Sequence, residues 1–271
     1  MTDNLRRRML VNVLGIPGGL ALVYIGGVTF AGFITIVMLY ALFEYYSLQQ
    51  HKDVYPQKWL GWLLTLLIGY IYYIQPEVKF PIVLIYLSFF ILVALIIELF
   101  RNKSHPNQNL GTTFLGILYI PLLLGSMIAL REQDTMQGTQ LTFALILSIW
   151  VCDSAAYIIG KKWGVKKIFK RVSPNKTVAG TAAGLICAII LWLVLNNIGF
   201  LGKTYLWYQV VTFGVITGGF GQLGDFLESM FKRAVGVKDS GTILMGHGGV
   251  LDRFDSLIIA SPLVYIFANT I

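Results

Sequence analysis

The sequence predicts an all-α polytopic membrane protein of about nine transmembrane helices with a cytoplasmic N-terminus. Three observations carry this prediction. Of the 271 residues 56% are hydrophobic and only 13% charged, and the mean hydropathy of +0.71 lies far above that of a soluble domain. The apolar residues fall into runs near the roughly 20 residues that cross a bilayer core. The Lys and Arg residues, finally, are sorted between alternate connections.

The chain opens on a short basic segment with Arg6, Arg7 and Arg8. The apolar run 9–48 is too long for a signal peptide and shows no small-residue cleavage site leading into a soluble domain. Gly26 and Gly27 predict a break that divides this run into two helices. Further spans are predicted at 59–74, 80–100, 112–130, 141–160, 178–201, 207–227 and 250–271. Residues 1–140 are expected to form N-terminal membrane helices and 141–271 a C-terminal region carrying the chemistry, integrated in one membrane domain.

With the N-terminus inside, the cytoplasmic segments are 1–8, 49–58, 101–111, 161–177 and 228–253. They hold 18 of the 21 Lys and Arg residues, leaving Lys79, Arg131 and Lys203 on the other side. This positive-inside bias supports both the span count and the orientation. The formal charge of +8 is therefore a matter of topology, and no nucleic-acid partner is expected. The compact size and lack of targeting extensions point to a bacterial inner membrane. Cys152 and Cys187 lie in apolar runs and suggest core thiols, not a disulfide or a CxxC metal site.

Two cytoplasmic stretches stand out. The loop 161–176 has seven basic residues in sixteen. It fits a topogenic loop resting on anionic lipid, where each charge contributes about 1 kcal/mol. It equally fits a site for a phosphorylated ligand, because Ser173-Pro-Asn-Lys176-Thr precedes a helix start whose free N–H groups attract anions. The stretch 224–256 holds five of the thirteen acidic residues and His247, one of three histidines.

Ionisable residues inside spans are costly and need a reason. Glu44 and Glu98 sit near span ends, within reach of the interface, and are expected to be structural. Asp153 lies well inside its span, four residues before Tyr157, and either locks helix packing or serves the site. Asp252 and Asp255, at i and i+3, project from one helical face, with Arg253 beside it. Asp225, near the end of the preceding span, is expected to turn back against that face. Three converging carboxylates call for a cation, and hard oxygen ligands favour magnesium held together with substrate phosphates. Lys232, Arg233, Lys238 and Arg253 add positive charge for phosphate. Gly246-His247-Gly248-Gly249 offers a backbone that a ligand can approach closely. No P-loop and no HExxH motif is present.

These residues resemble the signature of the CDP-diacylglycerol synthases, the phosphatidate cytidylyltransferases. The resemblance rests on Ser229-Met-Phe-Lys-Arg233, Lys238-Asp-Ser-Gly241 and His247-Gly-Gly-Val-Leu-Asp-Arg-Phe-Asp255. A second region, Trp150-Val-Cys-Asp-Ser-Ala-Ala-Tyr157 with Gly160 and Ser173-Pro-Asn-Lys-Thr177, agrees with it. The two regions cover about a quarter of the chain. The resemblance implies a polytopic helical enzyme, commonly a homodimer, with its active site at the cytoplasmic membrane face. It implies that CTP and phosphatidate are joined to give CDP-diacylglycerol and pyrophosphate, with magnesium, alone or with a second cation. By motif position Asp225 and Asp252 would be metal ligands supported by Asp255. Lys232, Arg233, Lys238, Asp239, His247, Gly248, Gly249 and Arg253 would shape the nucleotide and phosphate pocket, and Ser173, Lys176 and Asp153 would line it from the other region.

The chain departs from the family pattern at Ala179, where Glu is usual, and at Met245, where Pro is usual. The lost carboxylate motivates an alternative in which another phosphorylated lipid is the acceptor. A CTP-dependent lipid kinase would release a nucleoside diphosphate in place of pyrophosphate. A transporter or non-catalytic membrane protein would spread its acidic residues across the bilayer midplane, whereas here they gather beside basic loops.

Overall fold

A computed structural model describes residues 15–75, 80–133, 136–202, 204–241 and 248–271. The basic segment 1–8, together with Met245, Gly246 and His247, lies outside the described residues. Those described form nine helical rods and one short β-hairpin. Helix α1 (Gly15–Ile25) is followed by α2 (Gly27–Gln49), α3 (Lys58–Ile74) and α4 (Phe80–Arg101). One kinked rod contains α5 (Pro106–Tyr119), α6 (Pro121–Leu124) and α7 (Ser126–Glu132). Then come α8 (Gln137–Trp163), the strands β1 (Lys167–Phe169) and β2 (Ser173–Thr177), and α9 (Val178–Asn197). A second interrupted rod holds α10 (Trp207–Val215), a π turn (Ile216–Phe220) and α11 (Gly221–Ala234), and α12 (Leu251–Thr270) ends the chain. Five helical runs among the described residues are long and apolar enough to cross a bilayer: Gly27–Lys52, Pro106–Glu132, Gln137–Trp163, Val178–Asn197 and Trp207–Ala234.

The break expected in the first apolar run occurs at Gly26, whose φ of 67° is left-handed backbone open to glycine. It is pinned from α7. Arg131 donates through Nε to Val23 O at 2.6 Å and through Nη2 to Tyr24 O at 3.1 Å, and Glu132 Oε1 accepts from Gly27 N at 2.8 Å. The carbonyls at the end of α1 and an amide at the start of α2, orphaned by the break, thus find partners.

The core is built around α2, the α5–α7 rod, α8, α9, α10 and α12, with Phe30, Tyr45, Tyr46, Ile120, Trp192 and Phe213 fully buried. Trp192 stacks on Phe213 with centroids 4.6 Å apart, and its Nε1 donates to Thr217 Oγ1 at 3.1 Å. Thr217 is the second residue of the π turn, whose extra residue disturbs the normal ladder. Gln222 Nε2 answers this by donating to Gly218 O at 2.5 Å and Thr181 O at 3.1 Å.

The all-α architecture holds among the described residues, with the basic loop adding one short antiparallel β1–β2 hairpin. Two expectations are corrected. The span predicted at 207–227 continues through the π turn to Ala234. Glu44 and Glu98, near span ends and within reach of the interface, turn inward instead and are buried at 2% and 6% exposure. Glu98 accepts from Gln57, Asn109 and Arg101, so side-chain donors replace the water it would have met outside. Cys152 and Cys187 are free, as expected.

Candidate active site

Helices α8, α11 and α12 converge with the hairpin and the start of α9 around a cavity of about 730 Å³. Its charged lining includes Asp153 and Lys161 of α8, Lys167 and Lys176 of the hairpin, Asp225 of α11, and Asp252, Arg253 and Asp255 of α12. Two separate signature regions of the sequence therefore meet in one place.

Close helix contact brings the carboxylates there. Gly224 packs against the backbone of Asp255 and Ser256 so tightly that a Cβ would overlap Asp255 O. This close approach lets α11 carry Asp225 to the side of the cavity that α12 lines with Asp255. Asp225 Oδ2 pairs with Lys176 Nζ at 2.5 Å, and its Oδ1 accepts a long bond from Ser229 Oγ at 3.4 Å. Lys176 also sits 4.5 Å from the centroid of Phe226, whose ring meets Phe169 edge-on at 5.1 Å. The hairpin is thereby clamped over α11 by one ion pair and one aromatic pair. Thr177 closes the assembly by accepting from Gly180 N at 3.2 Å as the N-cap of α9.

Asp252 and Asp255 border the same cavity but face different partners. Asp255 is 8% exposed, and its Oδ1 accepts from Ser256 N at 2.6 Å. Asp252 Oδ1 takes Lys232 Nζ at 2.5 Å, while Oδ2 accepts from Gly249 N at 2.6 Å, Ser240 Oγ at 3.0 Å and Ser240 N at 3.1 Å. Lys232 also pairs with Glu228 at 2.5 Å.

The expected site residues thus divide. Asp153, Lys176, Asp225, Asp252, Arg253 and Asp255 line the cavity. Lys232, expected to meet phosphate, is buried between Glu228 and Asp252 and does not line it. Arg233 is exposed and holds Val172 O and Val237 O at 3.3 and 2.9 Å, tying the hairpin turn to the end of α11. Ser173, Lys238 and Asp239 stand outside the lining, the last two exposed. Gly248 and Gly249, expected to admit a ligand, are packed instead against Asp252: a Cβ on Gly248 would meet its carboxylate, and Gly249 N already donates to it. His247 lies outside the described residues.

Sequence reasoning passed over Glu228, Ser240 and the true place of Glu44. The spacing of Glu228 and Lys232, i and i+4, is that of a helical ion pair and was the available signal. For Glu44 the signal was the carboxylate itself, set in an apolar helix. It accepts from Val250 N at 3.0 Å, Leu251 N at 2.8 Å and Ser240 Oγ at 3.2 Å.

Among the described residues no three His, Cys, Asp or Glu side chains stand at common ligating distance. The donor chemistry nevertheless fits a hard divalent cation: Asp153, Asp225 and Asp255 offer carboxylate oxygens to one cavity, and magnesium is commonly held by one or two carboxylates plus phosphate oxygens of a substrate. The lysines and Arg253 supply complementary charge for a polyphosphate. A second, apolar cavity of about 460 Å³ adjoins, formed by α1, α2 and α12 with Phe30, Ile34, Val37 and Phe254 among its walls. Ile146, Trp150, Arg253 and Leu257 border both. A charged compartment and a greasy one therefore share a wall that includes Arg253.

The chain matches the cytidylyltransferase family over residues 6–271. It is 33% identical over 271 residues, 97% of each chain, to the phosphatidate cytidylyltransferase of Bacillus subtilis. It is 30% identical over 294 aligned positions, 96% of this chain and 95% of the relative, to that of a Synechocystis species. A 130-residue stretch, 48% of this chain and 49% of the relative, is 45% identical to the enzyme of Staphylococcus saprophyticus. By this match along nearly its whole length, the chain is a member of the cytidylyltransferase family.

Proposed function

We propose that this protein joins CTP to phosphatidate, giving CDP-diacylglycerol and pyrophosphate, at the cytoplasmic face of a bacterial inner membrane. The observation that carries the reading is the pair of adjoining cavities. A nucleoside triphosphate suits the charged one, acyl chains suit the apolar one, and Arg253 at their shared wall suits a lipid phosphate.

A non-bridging oxygen of the lipid phosphate attacks the α-phosphorus of CTP. A new P–O bond forms, the bond between the α-phosphorus and its bridge to the β-phosphate breaks, and pyrophosphate leaves with that oxygen. The lipid phosphate is already ionised near neutral pH, so little proton abstraction is needed. The protein's work is to hold two polyanions in line and to stabilise charge on the leaving group. In this reading Asp225 and Asp255, with Asp153 near them, would hold magnesium, and Asp252 would join if Lys232 released it. The bound cation would supply charge neutralisation for the phosphate oxygens. Lys176 leaves Asp225 for the incoming phosphate, and Arg253 grips the lipid headgroup. The chain crosses the membrane with its N-terminus inside and works as a homodimer, which the mass of the detergent-solubilised particle tests.

The purified protein is expected to release pyrophosphate only when CTP, phosphatidate and magnesium are all present. Release of CDP would assign a lipid kinase. Pyrophosphate release with a different phosphorylated lipid but not with phosphatidate would assign another acceptor, the reading motivated by Ala179. No release with any of these from folded protein would overturn the enzyme reading.

A further inference from the structure

We propose that Glu44, contributed by α2 far away in sequence, is a positioning residue that sets the carboxylate of Asp252 at the cavity. Glu44 is 2% exposed and lines neither cavity, so it acts only through what it holds. What it holds is the connection into α12. Val250 N and Leu251 N donate to its two oxygens, while Gly249 N and Ser240 N donate to Asp252. The free amides around the first turn of α12 are thus divided between two carboxylates, both favoured by the positive end of that helix. Ser240 Oγ lies 3.2 Å from Glu44 and 3.0 Å from Asp252, and its single proton serves one of them at a time.

The backbone is shaped to this seat. A Cβ on Gly241 or on Gly249 would run into the Glu44 carboxylate, so the glycines on both sides of the connection leave room for it. With Glu44 removed, the amides of Val250 and Leu251 lose their acceptor, and the carboxylate bound to the adjoining Gly249 N and to the shared Ser240 is Asp252. Turning towards them would draw that carboxylate from Lys232 and from the cavity wall.

The kinetic arm of the test rests on the cytidylyltransferase reading; the exchange arm does not. Glu44→Gln preserves shape, but its amide nitrogen repels one of the two backbone N–H groups. We expect kcat to fall about 100-fold, as for a small displacement of a working group, with KM for CTP and phosphatidate changed less than about threefold. Glu98→Gln is the control, a carboxylate also buried and also accepting from three residues, but outside both cavities; it is expected to lower the melting temperature and leave kcat intact. Hydrogen exchange in detergent should quicken in Glu44→Gln over residues 248–256 and be unchanged elsewhere. Wild-type exchange there would overturn the proposal, as would a kcat no lower than that of Glu98→Gln. Absence of pyrophosphate release by the wild-type protein would remove the cytidylyltransferase reading and leave the exchange result to decide the role of Glu44.

Discussion

At the residue scale, the carboxylates are separated by partner more than by position. Asp225 faces Lys176, Asp255 lies buried against the start of its own next peptide, and Asp252 is held by Lys232 and two loop amides. Asp225→Asn and Asp255→Asn remove charge from the cavity with little change of shape. Each is expected to reduce turnover by about three orders of magnitude or more, in line with losing a preorganised electrostatic group, while the protein elutes and melts as a folded species. Near-normal turnover in either variant would remove that residue from the metal site. Lys232 makes the opposite case. It is buried between Glu228 and Asp252, and Glu228 Oε1 has no hydrogen-bond partner among the described residues. Lys232→Met leaves two carboxylates facing each other without their cation and is expected to cost about 3–5 kcal/mol of stability, read as a large fall in thermal midpoint. A midpoint unchanged from wild type would mean that water reaches this pair freely.

At the element scale, three devices shape the cavity: the π turn, the Gly224 contact and the hairpin. At the π turn Gln222 Nε2 donates to Gly218 O, which also accepts from Cys152 Sγ, and reaches Thr181 O on α9. Gln222→Ala is expected to cost about 1–3 kcal/mol, the penalty for leaving buried polar atoms unpaired, and to loosen α9 from α11. Denaturant titration of the purified protein measures it. Gly224→Ala is expected to part α11 from α12, lose activity and cost about 1–3 kcal/mol of stability, because the added methyl meets backbone that cannot give way by rotation. Activity per folded molecule distinguishes the two variants. These devices also mark what the sequence could and could not convey. The break at Gly26, the nine rods and the meeting of residues 150–177 with 224–256 were all legible, since glycine conformation, apolar length and shared chemistry are local signals. The π turn was not, because Gly218-Gly219 signals a local break but does not specify that the helix continues through it with one extra residue in the turn. The hairpin was hidden beneath its charges. The different partners of Asp252 and Asp255 could not be foreseen either: helical spacing gives a shared face, while the partner of each is set by Ser240, Gly249 and Lys232, brought in by the tertiary fold.

At the scale of the whole molecule, the charge asymmetry of the sequence becomes a statement about orientation. The hairpin carries Lys166, Lys167, Lys170 and Arg171, and roofs the cavity that we assign to CTP. In the reading proposed above, a nucleotide made in the cytoplasm requires that roof to face inward, and the positive-inside bias favours the same side for an independent reason. Both arguments fail together if the hairpin is external. With Cys152 and Cys187 replaced by Ser, Lys170→Cys is exposed on the hairpin, and Thr204→Cys is exposed on the connection between α9 and α10, at the other end of α9. In intact cells whose outer barrier has been opened, a membrane-impermeant maleimide is expected to label Thr204→Cys. Lys170→Cys should react only after the inner membrane is permeabilised. Because α9 alone separates the two positions, the labels report on one crossing and cannot be confused by errors elsewhere in the span count. The reverse pattern would put the charged cavity outside, away from CTP, and would overturn the orientation together with the assignment of the nucleotide to that cavity.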